Sequence, residues 1–244
     1  MRFFRFALAA FLTVFFIWLL ALPQKAGDKN LPPLGAFFNP FSGFWCNAEP
    51  AGAQVTLPPA VQLPGLNGSV EVVYDSLLVP HIFAEHLEDA ARVQGYIVAR
   101  YRLWQMDLMT RKTAGRLSEI LGERTLAVDR ISRRRGNVWA AENHLKTWEK
   151  SEKSKRLVDA FTAGVNAWIE QLSPADYPLE FKLLNYQPEK WTPLKTALVY
   201  VSMAETLCSG DNDLGATLSL GQFGQSTFDM LYPEWMPGQQ PIVP

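Results

Sequence analysis

One apolar segment near the N-terminus constrains the fold of this chain more than any other feature. The seventeen residues from Phe6 to Leu22 contain a single polar side chain, Thr13, and Arg2 and Arg5 precede them. A helix of this length spans about 25 Å, near the lower limit for crossing the hydrocarbon core of a bilayer. We expect the segment to enter a membrane, because so apolar a surface is unfavourable in water; a buried core helix is the weaker alternative.

The residues around this segment predict its orientation. The basic side is expected to stay in the cytoplasm, which places everything after Pro23 outside, in the periplasm or an equivalent extracytoplasmic compartment. A cleaved signal peptide normally has a shorter apolar region and a small-x-small cleavage site, and neither Ala21-Leu22-Pro23 nor Gln24-Lys25-Ala26 fits well. We therefore favour an uncleaved anchor, formed by residues 6–22 within segment 1–23, over a cleaved signal.

Residues 24–68 have the composition of a linker and entry segment. Seven prolines fall within them, and proline breaks helices and disfavours central strands. The aromatic stretch Phe37–Trp45 is unusual for a flexible linker, which is normally polar. We expect this stretch to pack on the folded domain or at the membrane interface, where Trp and Phe are favoured.

The folded part, residues 69–244, is predicted to open with two strands and to continue with helices. Ser69–Tyr74 alternates polar and apolar residues, which indicates a half-buried strand, and Val79–Ala84 is predicted to be the returning strand. Apolar residues then recur at spacings of three and four in two stretches, Val93–Leu108 and Leu157–Leu172. Each stretch predicts one amphipathic helix.

Two further helices are indicated by their end signals. Thr192 is a good N-cap and is followed by proline at the first helical position, so a helix should run from Pro193 to about Ala204. Another is expected from Leu214 to Phe223, ended by Gly224.

Two glycines lie inside the amphipathic stretches. Gly95 and Gly164 interrupt helical patterns, where glycine costs about 1 kcal/mol relative to alanine. Close approach of two helices is the reason that we expect.

Composition and motifs exclude several functions. A formal net charge of −1 argues against a nucleic-acid partner, and the arginines between 130 and 135 fit a solvated helix face. Cys46 and Cys208 form no CxxC motif or disulfide framework, and their spacing leaves open whether they pair. No GxSxG, GxGxxG, P-loop or HExxH motif occurs, so no organic cofactor is expected. The residues alone indicate a membrane-tethered, mostly helical module without a visible active site.

Separated sequence blocks occur in a specific order from about residue 70 onwards. They are Val79–Ala84, Gly95–Asp107, Thr113–Gly122, Phe161–Ile169, Tyr186–Trp191 and Ala197–Met203. Each block is weak alone, but order and spacing together are specific. They resemble the A-chain portion of the penicillin acylase (penicillin amidase) family of N-terminal-nucleophile amide hydrolases.

This resemblance implies an α+β fold in which the mainly helical chain is the A-chain part of an αββα four-layer sandwich. The family is a heterodimer cut from one precursor, and a Ser, Thr or Cys at the start of the second chain is the nucleophile. No catalytic residue is therefore expected in this chain, and the nucleophile is expected after Pro244. The domain 69–244 would be incomplete, and inactive, without that second chain.

The resemblance also assigns roles to three residues. Met203 matches a methionine of the family's acyl-binding pocket, and Leu207 replaces a pocket aromatic, which leaves the acyl preference open; packing in a core is the alternative. Asp213, in the run Asp211–Asp213, matches a glutamate that binds calcium together with ligands of the second chain, and aspartate is one methylene shorter. An exposed helix N-cap is the alternative for Asp213.

Two classes of function follow. The first is the A chain of an amidohydrolase that cleaves a small N-acyl amide, such as a β-lactam side chain or an acyl-homoserine lactone. The second is a non-catalytic membrane-anchored helical module, or a truncated remnant of such an enzyme. The coding sequence after Pro244 separates them, because a Ser-Asn-x-Trp-like start there would indicate the enzyme.

The membrane anchor generates a first prediction. The chain should fractionate with membranes, and residues 24–68 should be open to protease added outside the cytoplasm, because Phe6–Leu22 remains in the bilayer. Fractionation and protease protection on spheroplasts measure both. Soluble protein whose sequence begins near Gly27 would show instead that the segment is a cleaved signal.

Overall fold

The computed structural model describes residues 2–26, 29–48, 60–208, 213–233 and 238. Its helices and strands, in chain order, are α1 (Arg2–Ala21), β1 (Gln24–Ala26), β2 (Lys29–Leu31), α2 (Leu34–Phe37), β3 (Val70–Tyr74), β4 (Pro80–Ala84), α3 (Leu87–Ala114), α4 (Ser118–Leu121), α5 (Leu126–Arg134), α6 (Asn137–Glu149), α7 (Glu152–Ile169), α8 (Leu179–Leu183), α9 (Pro193–Leu207) and α10 (Asp213–Leu231). Single 3₁₀ turns occur at Phe44–Asn47 and Glu123–Thr125. The chain divides into two compact units, residues 1–203 and 204–244.

The N-terminal apolar segment forms helix α1. Its mean hydropathy is 2.2 and none of it is buried, and no other helix among the described residues is as suited to cross a membrane by length and composition. A signal sequence meets the same criterion, so the choice between anchor and signal stays a prediction.

The segment after α1 is more regular than the sequence indicates. Strands β1 and β2 form an antiparallel hairpin in which Gln24 pairs with Leu31, and α2 and a 3₁₀ turn follow. Residues 49–59 of the expected linker lie outside the described part of the chain.

The aromatic stretch Phe37–Trp45 packs on the folded domain, one of the two alternatives expected. The ammonium of Lys182 in α8 donates to Gly43 O at 3.0 Å, Asn47 Oδ1 at 2.7 Å and Ala175 O at 2.9 Å. Burial lowers the pKa of Lys182. The amide of Asn47 also donates to a backbone oxygen beside α8. The bonds to Gly43 and Asn47 join this segment to the domain, because they link groups 130 to 139 residues apart in sequence.

The two predicted strands are confirmed as the antiparallel pair β3 and β4, in which Val72 lies opposite Ile82. Exposure alternates along both strands, as the period of two requires. Their less exposed face packs on α3 against Val93, Tyr96 and Ile97.

Helices α3 and α7 form the centre of the first unit. A Cβ atom at Gly95 of α3 would overlap the carbonyl oxygen of Phe161, and one at Gly164 of α7 would overlap that of Arg92. The predicted reason for both glycines is therefore confirmed: the backbones touch where no side chain separates them. The adjoining core consists of Ala99, Leu103, Val165, Phe181 and Trp191.

The apolar stripe predicted for α3 is correct at most of its positions, since Trp104 also packs against the core. Val93 and Ile97 are buried, but Tyr101 is 50% exposed and Leu103 is 4% exposed. Arg102 has non-helical angles (φ −136°, ψ 18°) inside the helix. The kink comes directly after Tyr101, and Leu103 directly after the kink belongs to the core.

The other three predicted helices, α7, α9 and α10, differ from the predictions mainly at their ends. Helix α7 ends at Ile169, three residues before Leu172, and α9 extends to Leu207 rather than Ala204. Gly224 ends the regular helical turns of α10 as predicted, with a left-handed φ of 75°, and helical turns resume to Leu231. Cys46 and Cys208 are exposed free thiols.

The contact between α3 and α7 generates a second prediction. Gly164→Ala should lower the free energy of unfolding by about 1–3 kcal/mol or more, because the added methyl group forces two backbones apart. Thermal and denaturant unfolding measure this change. Gly221→Ala in α10 is the matched control: no atom lies within 4 Å of its added Cβ, so helix propensity should make it neutral or stabilising by up to about 1 kcal/mol. Equal stability of the two variants would show that α3 and α7 are not in backbone contact.

Candidate functional site

The two residues that the resemblance assigns to the acyl pocket both belong to helix α9. Met203 is 52% exposed and Leu207, the last residue of the helix, is 76% exposed. Neither side chain is buried in a core of the described chain. Met203 is the last residue of the first unit, and Leu207 belongs to the second.

An aromatic surface of the first unit leads up to Met203. Tyr200, one turn earlier on α9, is half exposed, and its ring lies 4.8 Å from His144 and 5.8 Å from Trp148 of α6, edge to face in both pairs. Such geometry stabilises aromatic pairs. The sequence analysis missed this cluster because its members come from two helices that the sequence does not bring together.

Asp213 is the first residue of α10 and is exposed. Its backbone oxygen accepts a hydrogen bond from the hydroxyl of Thr217 at 2.8 Å. Within the described ranges, no group of three or more His, Cys, Asp or Glu side chains could hold a metal ion. The described chain therefore offers one carboxylate at this position, and Asp211 and Asn212 lie outside the described residues.

A cluster of charged side chains, which the sequence analysis did not find, joins the end of α3 to the start of α9. Arg111 is its centre and is 4% exposed. Its guanidinium donates to Asp107 Oδ2 at 2.8 Å, Glu119 Oε2 at 2.7 Å and Glu189 Oε1 at 2.6 Å. The ammonium of Lys195 lies 3.0 Å from Glu189 Oε2. Each of the three guanidinium nitrogens of Arg111 thus donates to a carboxylate.

The neighbouring cations control the ionisation of Glu189. Burial opposes its charge, but the hydrogen bonds from Arg116 and the positive charges of Lys195 and Arg111 outweigh it and lower the pKa of Glu189 to about 2. Burial, the Asp107 charge and the hydrogen bond to Asp107 raise the pKa of Tyr186. Both side chains therefore keep fixed charge states near neutral pH. This fits a structural clamp rather than an acid–base pair.

Two further buried carboxylates hold loops. Asp129 accepts hydrogen bonds from the backbone N–H groups of Leu117 and Ser118, both at 2.8 Å. Asp89 accepts from the backbone N–H groups of Asn67 and Gly68. Burial opposes ionisation of both carboxylates, yet these bonds lower the pKa of each. Both acidic side chains thus stabilise local structure in this chain.

The sequence of this chain is similar to a family model and to several known proteins. A family model described as penicillin amidase matches residues 69–238. The penicillin acylase 2 proenzyme of Pseudomonas sp. (strain SE83) is 36% identical over 143 residues, which cover 57% of this chain and 18% of that protein. The acyl-homoserine lactone acylase QuiP of Pseudomonas aeruginosa is 31% identical over 170 residues, which cover 68% of this chain and 20% of that protein.

The structure of this chain is also similar to a solved structure. The thermostable penicillin G acylase from Alcaligenes faecalis aligns with a TM-score of 0.58 and 26% identity, over 72% of this chain and 95% of that chain. The chain therefore belongs to the penicillin amidase family. Its mainly helical structure with small sheets fits the A-chain region of these enzymes. It spans about a fifth of the length of the curated relatives that it matches.

The charged cluster generates a third prediction. Glu189→Gln should lower the free energy of unfolding at pH 7 by about 1–2 kcal/mol, since the bonds are charge-assisted but partly screened by solvent. Because its pKa falls from 4.5 to about 2 on folding, ionised Glu189 stabilises the fold fully above pH 4.5 and loses this effect as the pH falls towards 2. Denaturant unfolding across that range should show a flatter profile for the variant.

A matched substitution controls this experiment. Glu142 lies on the exposed side of α6, and Glu142→Gln should leave both the stability at pH 7 and the acid profile unchanged. An acid profile of Glu189→Gln that matches the unmodified chain would contradict the assigned ion pairs.

Proposed function

We propose that this chain is the A-chain part of an amidohydrolase that cleaves a small N-acyl amide, of the β-lactam side-chain or acyl-homoserine lactone type. The observation that carries the proposal is the family match over residues 69–238. The matched relatives are named as acylases of penicillin and of acyl-homoserine lactones, which supports an amide substrate with a small acyl group. For the same reason the non-catalytic module is not favoured.

The proposed nucleophile lies on a second chain from the same precursor, as in the family that this sequence resembles. The name of one relative, a proenzyme, supports processing of a precursor. A Ser, Thr or Cys at the start of that chain would attack the amide carbon, with its own α-amino group as general base; an unperturbed α-amino pKa of about 7.7–8.0 suits neutral pH. The amine leaves with a proton, and water then releases the acid from the acyl-enzyme.

In this proposal the present chain supports the active site rather than carrying out the chemistry. Together with the second chain it would complete the αββα four-layer sandwich. The exposed face of α9, with Met203 and Leu207, would form part of the acyl-binding pocket. Its open position and the aromatic surface around Tyr200 support a role in holding an apolar acyl group.

Calcium and location are further parts of the proposal. Asp213 would supply one carboxylate oxygen to a calcium ion, which prefers six to eight oxygen ligands, and the second chain would supply the rest. The assembled enzyme would lie in the periplasm or an equivalent compartment, anchored by residues 6–22. The apolar, unburied surface of α1 supports the anchor.

The proposed division of labour can be tested directly. The chain expressed alone should hydrolyse no N-acyl amide, and hydrolysis should appear when it is co-expressed with the second chain of its precursor. Release of free amine from penicillin G and from acyl-homoserine lactones measures both. Amidase activity of the single chain that is lost on replacing one of its own Ser or His residues would contradict an N-terminal nucleophile on a second chain.

The acyl pocket generates a fourth prediction. In the assembled enzyme, Leu207→Phe should change the ratio of specificity constants between short and long acyl groups by about 10-fold or more, because filling a pocket discriminates by roughly 1–3 kcal/mol. A panel of acyl chain lengths and the thermal midpoint should be measured together. Leu77→Phe is the matched control, since Leu77 is 82% exposed in the loop between β3 and β4. A lower midpoint with unchanged selectivity would place Leu207 in a core.

A further inference from the structure

An exposed aromatic patch, formed by Phe38, Phe41 and Trp45, follows the short helix α2 that packs on α1. These side chains are 50%, 85% and 54% exposed. The indole N–H of Trp45 donates to the backbone oxygen of Phe38 at 3.3 Å. The ring centroid of Phe44 lies 4.0 Å from that of Trp45 and 5.5 Å from that of Phe38. The patch is therefore an ordered surface that presents three large apolar side chains outward.

The patch begins where the apolar helix ends. A Cβ atom at Gly35, in α2, would lie 2.9 Å from the backbone oxygen of Leu20, so α2 runs against the last turn of α1. The side-chain amide of Gln24 donates to Trp18 O at 3.2 Å and Leu22 O at 3.0 Å. A polar side chain thus caps the carbonyl groups at the end of α1, as expected where a helix leaves the hydrocarbon region.

The composition of the segment that carries the patch suits the interface of a bilayer better than a polar, protein-binding surface. Residues 34–47 contain no charged side chain. Phe and Trp are favoured at the boundary between acyl chains and headgroups, where their rings are partly buried. Helix α2 touches the last turn of α1, and Phe38, the first residue of the patch, directly follows α2.

We infer that the aromatic patch inserts into the outer interfacial layer of the bilayer beside the end of α1. The inference rests on the proposed membrane location of α1. Since Lys182 and Asn47 bond the same segment to α8 and its flanking loop, insertion fixes the orientation of the folded domain on the membrane. A single helix followed by a free linker would allow the domain to rotate.

Cys46 makes the inference measurable, because it is an exposed thiol directly after Trp45. In a Cys208→Ser background, the full chain is labelled at Cys46 with an environment-sensitive fluorophore and reconstituted into phosphatidylcholine vesicles. A lipid nitroxide near the headgroup should quench the label several-fold more than a nitroxide near the end of the acyl chain. Iodide in the water should quench it several-fold less than it quenches free label.

Matched variants test the aromatic side chains themselves. Phe41→Ser should make the label accessible to iodide. Phe83→Ser, the same change at a 59% exposed position of β4, should not. Circular dichroism of both variants verifies that the helical fold is retained. An unchanged quenching pattern in Phe41→Ser would overturn the inference.

The outcomes also separate this inference from the proposals on which it rests. A chain that does not float with vesicles in a density gradient overturns both the anchor and the inference. A chain that floats, but whose label is quenched by iodide as strongly as free label, overturns the inference alone. A label shielded from both iodide and lipid nitroxides would show that protein covers the patch, which also overturns it. Amide hydrolysis by the assembled enzyme reports separately on the proposed function.

Discussion

The direct contact between the backbones of α3 and α7 is the interaction on which the rest of the first unit depends. Gly95 and Gly164 each face a carbonyl oxygen of the other helix, at a position where any Cβ atom would overlap it. The core residues Ala99 and Val165, one turn or less beyond these glycines, are completely buried. Glycine costs helix propensity at both positions, and close packing of two long helices offsets that cost.

The position of α9 follows from this pair through two connections. The side chain of Asn166 in α7 accepts a hydrogen bond from Trp191 N at 2.8 Å and donates to Trp191 O at 3.0 Å, just before α9 begins. On the other side, Lys195 of α9 and Glu189 join the Arg111 cluster of α3. The start of α9 is thus held by both central helices, and the proposed acyl-pocket residue Met203 lies two turns beyond this support.

The sequence predicted the features that depend on local pattern. The alternation in 69–74, the helical spacing of the apolar residues in α7 and the proline after Thr192 each gave the right type of element. Gly95 and Gly164 also indicated a close helix contact, because glycine has few other reasons to occur inside an amphipathic helix.

The features that the sequence did not reveal depend on long-range contacts. Arg111 and Glu189 are 78 residues apart, and the local sequence around either residue does not predict that the two form an ion pair. The kink at Arg102 is not marked by proline or glycine. Helix α5 buries the polar residues Asp129 and Ser132 and leaves its apolar residues partly exposed, so its apolar pattern does not mark the buried face. Met203, Leu207 and Asp213 were assigned only through the family resemblance, and their roles stay predictions.

Native-state hydrogen exchange of the full chain in lipid nanodiscs tests the central role of α3 and α7 most directly. Backbone amides near Gly95 and Gly164 should exchange slowest and share one opening free energy, equal to that of global unfolding by denaturant. Amides of α5 and α6 should open at lower free energy, because they pack around the central pair. If amides near the two glycines opened at a lower free energy than the amides of α5 or α6, the result would contradict this account.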